Sequence, residues 1–160
     1  MSTNFLGNSF YDGCIGCGIV KEKFCVPGGS IFENNSFVLH QDPEYPIANF
    51  FIITAKRHFK HFYEMTDLEY NDYMEIVKFT REILKKLDIA DEYAIINEER
   101  SNHFHTWFFP RLTWMDNFGH SISEVRNIMK YAQQNMNNDN NIKEVMNYIK
   151  EAKKIVVSNN

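Results

Sequence analysis

The chain lacks most of what would mark a membrane protein, a disulfide-stapled secreted protein or a nucleic-acid polymer binder. No apolar run approaches the roughly 18 residues that a spanning helix needs, and the opening Met-Ser-Thr-Asn-Phe-Leu-Gly has no charged-then-apolar signal pattern. Cysteine is scarce and odd in number, three in all, which argues against a disulfide framework. Charge is nearly balanced, 17 basic against 21 acidic residues for a net −4, so no general positive field exists for a phosphate backbone. There is no internal repeat. These absences lead us to expect a cytoplasmic protein that engages neither membrane nor nucleic acid polymer.

What is present fits one folded domain: 160 residues, 44% hydrophobic and 15% aromatic, enough to bury a substantial core. Residues 1–13 are polar and aperiodic and read as a flexible or extended lead. Cys14-Ile-Gly-Cys17-Gly then reads as a knuckle-like turn whose glycines let two sulfurs point at one spot. Cys25, ahead of Pro27-Gly-Gly, reads as a small packed residue. Residues 30–33 and 36–40 suggest a hairpin around Asn34-Asn35, a pair that tolerates positive φ. Residues 41–46 form a polar loop, and the apolar run 49–54 has the length of a central strand.

Thr66-Asp-Leu-Glu69 is a capping box. The helix it opens carries Tyr73, Ile76, Val77, Thr80, Ile83, Leu84 and Leu87 on the face expected to meet the sheet. Residues 93–97 are a further strand. Two amphipathic helices follow, one capped by Ser121 and one beginning near Ile142, joined by a polar link. Together the elements describe an α+β domain on an antiparallel sheet.

The chemistry concentrates in His103-Phe-His-Thr-Trp-Phe-Phe-Pro-Arg111. Aromatic and β-branched residues make this a largely buried strand ended by Pro110. Alternation puts His103, His105 and Trp107 on one face and Phe104, Thr106 and Phe108 on the other. Two imidazoles on one buried face must be hydrogen-bonded, metal-bound or used in chemistry; a pair of satisfied core histidines is the plain alternative. Cys14 and Cys17 have the spacing of the first half of a tetrahedral zinc site. No strand, Cys-x-x-Cys and helix succession favours a redox pair instead. A histidine upstream of the helix, His58 or His61, would supply a third ligand, and the residues alone leave that choice open.

At this point the chain resembles the histidine-triad (HIT) superfamily of nucleotidyl hydrolases and transferases. Its signature alternates three histidines with apolar residues; His103-Phe-His105-Thr-Trp107-Phe-Phe matches two of the three. The similarity runs from the Cys-x-x-Cys through Phe32-Glu, Asp42 and Lys56-Arg-His58 to Asn97 and Arg111, roughly residues 14–111. The resemblance implies that His105 is the nucleophile that forms a covalent nucleotidyl-histidine. It implies Cys14, Cys17, His58 and His103 as a closed, structural zinc site, as in zinc-bearing relatives. Asp42 falls where relatives hold the ribose hydroxyls, Asn97 where an amide supports the site, and Ser101 and Trp107 complete the nucleotide contacts. Arg111 is a weaker phosphate candidate. His40, His61 and His120 are left as surface or core residues.

Trp107 departs from the family pattern, since an indole offers one N–H and cannot shuttle a proton. Phe50 also stands where many relatives carry another histidine. The expectation is a nucleotidyl hydrolase or transferase acting on a phosphoanhydride, phosphoramidate or dinucleoside polyphosphate; the alternative is a zinc-stabilised nucleotide-binding protein with little or no turnover. The organisation expected is a lead over 1–13, a HIT-like catalytic domain over 14–115 and a C-terminal helical extension over 116–160 packed on it. Members of the family are often homodimers, so the resemblance admits a homodimer here.

Overall fold

The computed structural model describes residues 1–159. In chain order its elements are β1 (Ser2–Thr3), β2 (Phe10–Tyr11), α1 (Ile15–Val20), β3 (Phe32–Glu33), β4 (Phe37–Gln41), β5 (Phe51–Ala55), α2 (Asp67–Leu87), β6 (Tyr93–Asn97), β7 (His105–Pro110), α3 (Val125–Asn135) and α4 (Asp139–Ser158). Strands β3 to β7 form one sheet in the order β3-β4-β5-β7-β6, every pairing antiparallel. The fold is α+β.

Alternation divides the sheet into two apolar faces. Phe37, Leu39, Phe51, Ile53, Phe104 and Phe108 point to one face, where α2 and α4 cover them with Tyr73, Ile76, Ile83, Leu84, Val145, Ile149 and Ala152. Phe104 stacks on Phe59 at 5.0 Å between centroids; burying such a ring contributes up to about 3 kcal/mol relative to exposure. On the other face Phe50, Ile52 and Phe109 meet Val125, Ile128, Met129 and Ala132 of α3. The C-terminal helices therefore straddle the sheet, α4 beside α2 and α3 opposite.

Helix α2 starts as its sequence dictates. Thr66 accepts from the Glu69 amide while Glu69 reaches back to the Thr66 amide, satisfying two otherwise orphan donors. Helix α4 is tied to the loop before β3 by a close approach at Gly28: a Cβ there would lie 2.6 Å from Ile149, and φ is +75°.

Several local expectations are corrected. Of the two alternatives for the lead over 1–13, flexible or extended, the extended one fits: β1 and β2 pair, Phe5 is 6% exposed and its amide donates to the Pro43 carbonyl at 2.8 Å. Asn34 and Asn35 do not adopt positive φ; the Asn34 side chain turns the chain instead, accepting from the amides of Ser36 and Phe37. Asn49 sits at φ 60° outside the strand that follows. Cys25 is exposed rather than packed, held only through its backbone by Ser9 and Asn4. Among the described residues, no helix is long and apolar enough to cross a membrane.

Candidate functional site

Cys14 and Cys17 lie on a helix, not in the knuckle-like turn expected: Cys14 is the N-cap of α1 and Cys17 sits one turn along. Three-residue spacing at a helix start brings both sulfurs to one side. The helix also lies hard against the histidine segment, because a Cβ on Gly16 would fall 2.5 Å from the His103 ring. Only glycine lets α1 approach that closely.

The four side chains converge. Cys14 Sγ is 3.3 Å from His103 Nδ1 and 3.6 Å from His58 Nδ1. Cys17 Sγ is 3.1 Å from His58 Nδ1 and 3.6 Å from His103 Nδ1, and the two Nδ1 atoms are 3.2 Å apart. Zinc bond lengths imply tetrahedral edges of roughly 3.6 Å between sulfur and nitrogen and 3.3 Å between nitrogens. The cluster therefore fits a zinc site, with all ligand atoms within 4.8 Å of one another. His103 Nε2–H donates to the Ala55 carbonyl at 2.7 Å, which leaves Nδ1 as the lone-pair nitrogen facing the thiols, the support a metal-binding histidine usually has. Burial lowers the His103 pKa first, with its backbone bond to Ala55 working against that. His61 is not in the cluster; it pairs with Glu99 at 2.9 Å.

Beside the cluster is a cavity of about 470 Å³ whose walls include His40, Asp42, Tyr45, Thr54, Ser101, His105, Trp107 and Arg126. Strand register builds its floor. Thr54 is paired with His105 and Ile52 with Trp107 across β5 and β7, while His40 on β4 is paired with Ile52. His105 Nδ1–H donates to the His103 carbonyl at 2.9 Å, so Nε2 keeps its lone pair. Burial lowers the His105 pKa, opposed by that bond and by Glu98, and Arg126 lowers it further. His40, fully buried, is pushed down to about 4 by burial; its Nδ1–H donates to the Gln41 carbonyl and its Nε2 accepts from Thr54 at 2.8 Å. Asp42 Oδ1 accepts from the amides of Glu44 and Tyr45. Burial nonetheless raises its pKa to about 7, with Glu44 adding to the rise and Arg126 opposing it.

The site residues expected from sequence separate clearly. His105, Asp42, Ser101 and Trp107 line the cavity, as do Cys14 and His103. Asn97 does not. It is paired with Thr106, so its side chain lies on the α2 face, donating to Thr106 Oγ1 at 3.0 Å beside Tyr73. Arg111 is also away from the cavity, its guanidinium 5.8 Å from the Phe109 ring. Sequence reasoning missed His40 and Thr54 as cavity floor, although strand parity was available for both. It also missed Arg126, which the docking of α3 alone brings to Trp107, 4.8 Å from guanidinium carbon to ring centroid.

Comparison with known proteins gives a consistent picture. No protein-family model matches the chain. An uncharacterized HIT-like protein of Methanocaldococcus jannaschii is 30% identical over 104 residues, covering 61% of this chain and 78% of that protein. A zinc-bound histidine triad family protein from Mycobacterium smegmatis superposes with a TM-score of 0.64 at 15% identity, over 92% of this chain and 98% of its own. A hypothetical histidine triad nucleotide-binding protein from Sulfolobus tokodaii gives 0.63 at 18% identity, over 89% and 93%. At those identities the two structures speak for the fold.

Proposed function

Because the chain belongs to the histidine-triad (HIT) family, we propose that it is a nucleotidyl hydrolase or transferase working through a covalent nucleotidyl-histidine at His105. Its substrates are nucleoside phosphoanhydrides, phosphoramidates or dinucleoside polyphosphates. One observation carries this reading: the His105 ring lines the cavity with Nδ1–H committed to the His103 carbonyl, which leaves Nε2 as the nucleophilic nitrogen. A protonated ring has no lone pair with which to attack phosphorus, so a buried, neutral imidazole suits the task.

In the first step the Nε2 lone pair attacks the α-phosphorus, and the bond from phosphorus to the leaving atom breaks with its electron pair; a phosphate departs as its anion, and an amine departs after taking a proton from solvent. In the second, water attacks phosphorus, the P–N bond breaks and its electrons return to Nε2. The water proton passes to solvent. Asp42, Ser101 and Trp107 line the same cavity; in this reading Asp42 accepts from the ribose hydroxyls, and Ser101 and the Trp107 N–H donate to phosphate oxygens. Cys14, Cys17, His58 and His103 would hold zinc, and its contribution would be to fix α1 and the segment after β5 against the strand that carries His105. Cytoplasmic location and a homodimer accompany this reading on family resemblance.

A second reading, a nucleotide-binding protein with little turnover, is favoured by Trp107, which cannot move a proton. Both are tested by incubating the protein with a radiolabelled dinucleoside polyphosphate and an adenylyl phosphoramidate, with mass spectrometry of the quenched chain. We expect turnover and a nucleotidyl adduct on His105, both lost in His105→Ala. Binding without turnover or adduct would select the second reading.

A further inference from the structure

We infer that Arg126, carried into the cavity by α3, is a catalytic residue that binds the departing phosphate, and that the site is therefore selective for leaving groups that depart as phosphate or polyphosphate. This deepens the nucleotidyl-histidine reading and rests on it.

The placement of Arg126 is specific. Its guanidinium lies 4.8 Å from the centroid of the Trp107 ring, and that ring is 5.9 Å from the His105 ring. Nη2 donates to Glu98 Oε2 at 2.7 Å. The side chain is 60% exposed and lines the cavity with His105, Asp42 and Tyr45. An aromatic face below and a carboxylate beside it hold the guanidinium against the loss of freedom that a solvated arginine would suffer on binding. Glu98 is the counter-ion of the free protein, and an incoming phosphate, carrying more charge and several acceptor oxygens, competes for the same N–H donors.

The chemistry of the leaving group then decides the substrate class. A phosphoramidate loses an amine, which must take up a proton as the P–N bond breaks. A phosphoanhydride breaks the bond from the α-phosphorus to the bridging oxygen. The electron pair stays on that oxygen, and the phosphate departs as an anion that needs neutralisation rather than a proton. At the position next to the nucleophile on the cavity face this chain has Trp107, which does not ionise in the useful range, and over it Arg126, which stays charged and never gives up a proton. Cation without acid matches an anhydride.

The test compares three substrates sharing one nucleotide: a dinucleoside tetraphosphate, a nucleoside phosphoramidate and a nucleoside p-nitrophenyl phosphate, whose phenolate needs neither proton nor phosphate contact. With wild type, kcat/KM for the tetraphosphate should exceed that for the phosphoramidate by about tenfold or more. Arg126→Gln should lower the tetraphosphate value on the order of 100-fold, the usual effect of removing a preorganised donor from a developing anion, and change the nitrophenyl value by no more than about threefold. Arg126→Lys should restore part of the loss. An equal fall on the tetraphosphate and the nitrophenyl ester, no fall, or a preference for the phosphoramidate overturns the inference. The parent reading is judged separately: turnover of the nitrophenyl ester with an adduct on His105 sustains it whatever Arg126 does. If no substrate gives turnover or adduct, the parent reading fails and this inference fails with it.

Discussion

The carbonyl oxygen of His103 lies 2.9 Å from Nδ1 of His105, so the residue whose ring faces the two thiols also fixes the proton of the neighbouring ring. One short segment thus has two outputs. The His103 side chain joins α1 and the segment after β5, and its backbone selects the tautomer of His105 that leaves Nε2 bare. Phe104, between them, is buried against Phe59 and Phe37, so the backbone carrying both functions is anchored on the α2 face.

Removing the proposed metal should therefore disturb both stability and chemistry, although four protein ligands would leave it no open position for substrate. Elemental analysis is expected to give about one zinc per chain. Cys14→Ser should abolish it and lower stability on the order of 3 kcal/mol, roughly 6–12 °C in Tm for a chain of this size. Turnover should fall with it. A metal-free protein of unchanged Tm would contradict the proposed site.

Asp42 gives a pH dependence. Its carboxyl is raised to about 7 by burial, and in the proposed ribose-binding role only the ionised form would accept from two hydroxyls, so nucleotide affinity should rise with pH through about 7. Asp42→Asn should flatten that profile. Stability runs the other way: the folded state binds this proton more tightly than the unfolded chain does, so stability declines from about 3.8, the ordinary value, to about 7. The groups facing it are Glu44, Tyr45 and Arg126. Calorimetric titration of a mononucleotide between pH 5.5 and 8.5, a window of roughly the width a single titration needs, checks the binding half.

The parts of the site that were legible were those written in residue type and parity. Cys-x-x-Cys and a His-x-His strand name a soft metal's donors whatever their surroundings, and alternation alone put His103, His105 and Trp107 on one face. Asn97 lies off the cavity because strand parity decides its face: paired with Thr106, it turns to α2, whereas the family resemblance speaks only of its position in the chain. Arg126 was illegible because it lies off the apolar stripe of α3, and nothing local says that this helix docks against Trp107. The pairing within the lead was not legible because two-residue strands have no periodicity to detect, and Phe5 finds its burial only against distant parts of the fold.

Arg57 and Glu69 make an acid-sensitive clamp on the His58 segment. Arg57 donates through Nε and Nη2 to both carboxylate oxygens of Glu69, and through Nη2 to the Glu64 carbonyl. The guanidinium holds the Glu69 carboxyl down to about 2 from 4.5. Its proton is bound less tightly in the folded state, so this stabilisation is present above pH 4.5 and lost as pH falls towards 2. Since Arg57 is 47% exposed, Arg57→Ala should cost only about 1 kcal/mol at neutral pH. It should shift acid unfolding to higher pH, followed by circular dichroism.

Gly16 offers the sharpest test of how the two thiols and His103 come together. In an isolated helix, glycine to alanine gains about 1 kcal/mol, and the φ of Gly16 lies outside the left-handed region, so local propensity alone expects Gly16→Ala to stabilise. The added methyl, however, would lie 2.5 Å from Cγ and Cδ2 of the His103 ring and 2.8 Å from its Nδ1. That ring cannot retreat without giving up its bond to Ala55 or its place beside the sulfurs. We expect a net loss of about 1–3 kcal/mol, as for other overpacked sites, together with weaker zinc retention in a chelator competition. A rise in Tm with zinc held as in wild type would show that α1 does not press on His103 in this way.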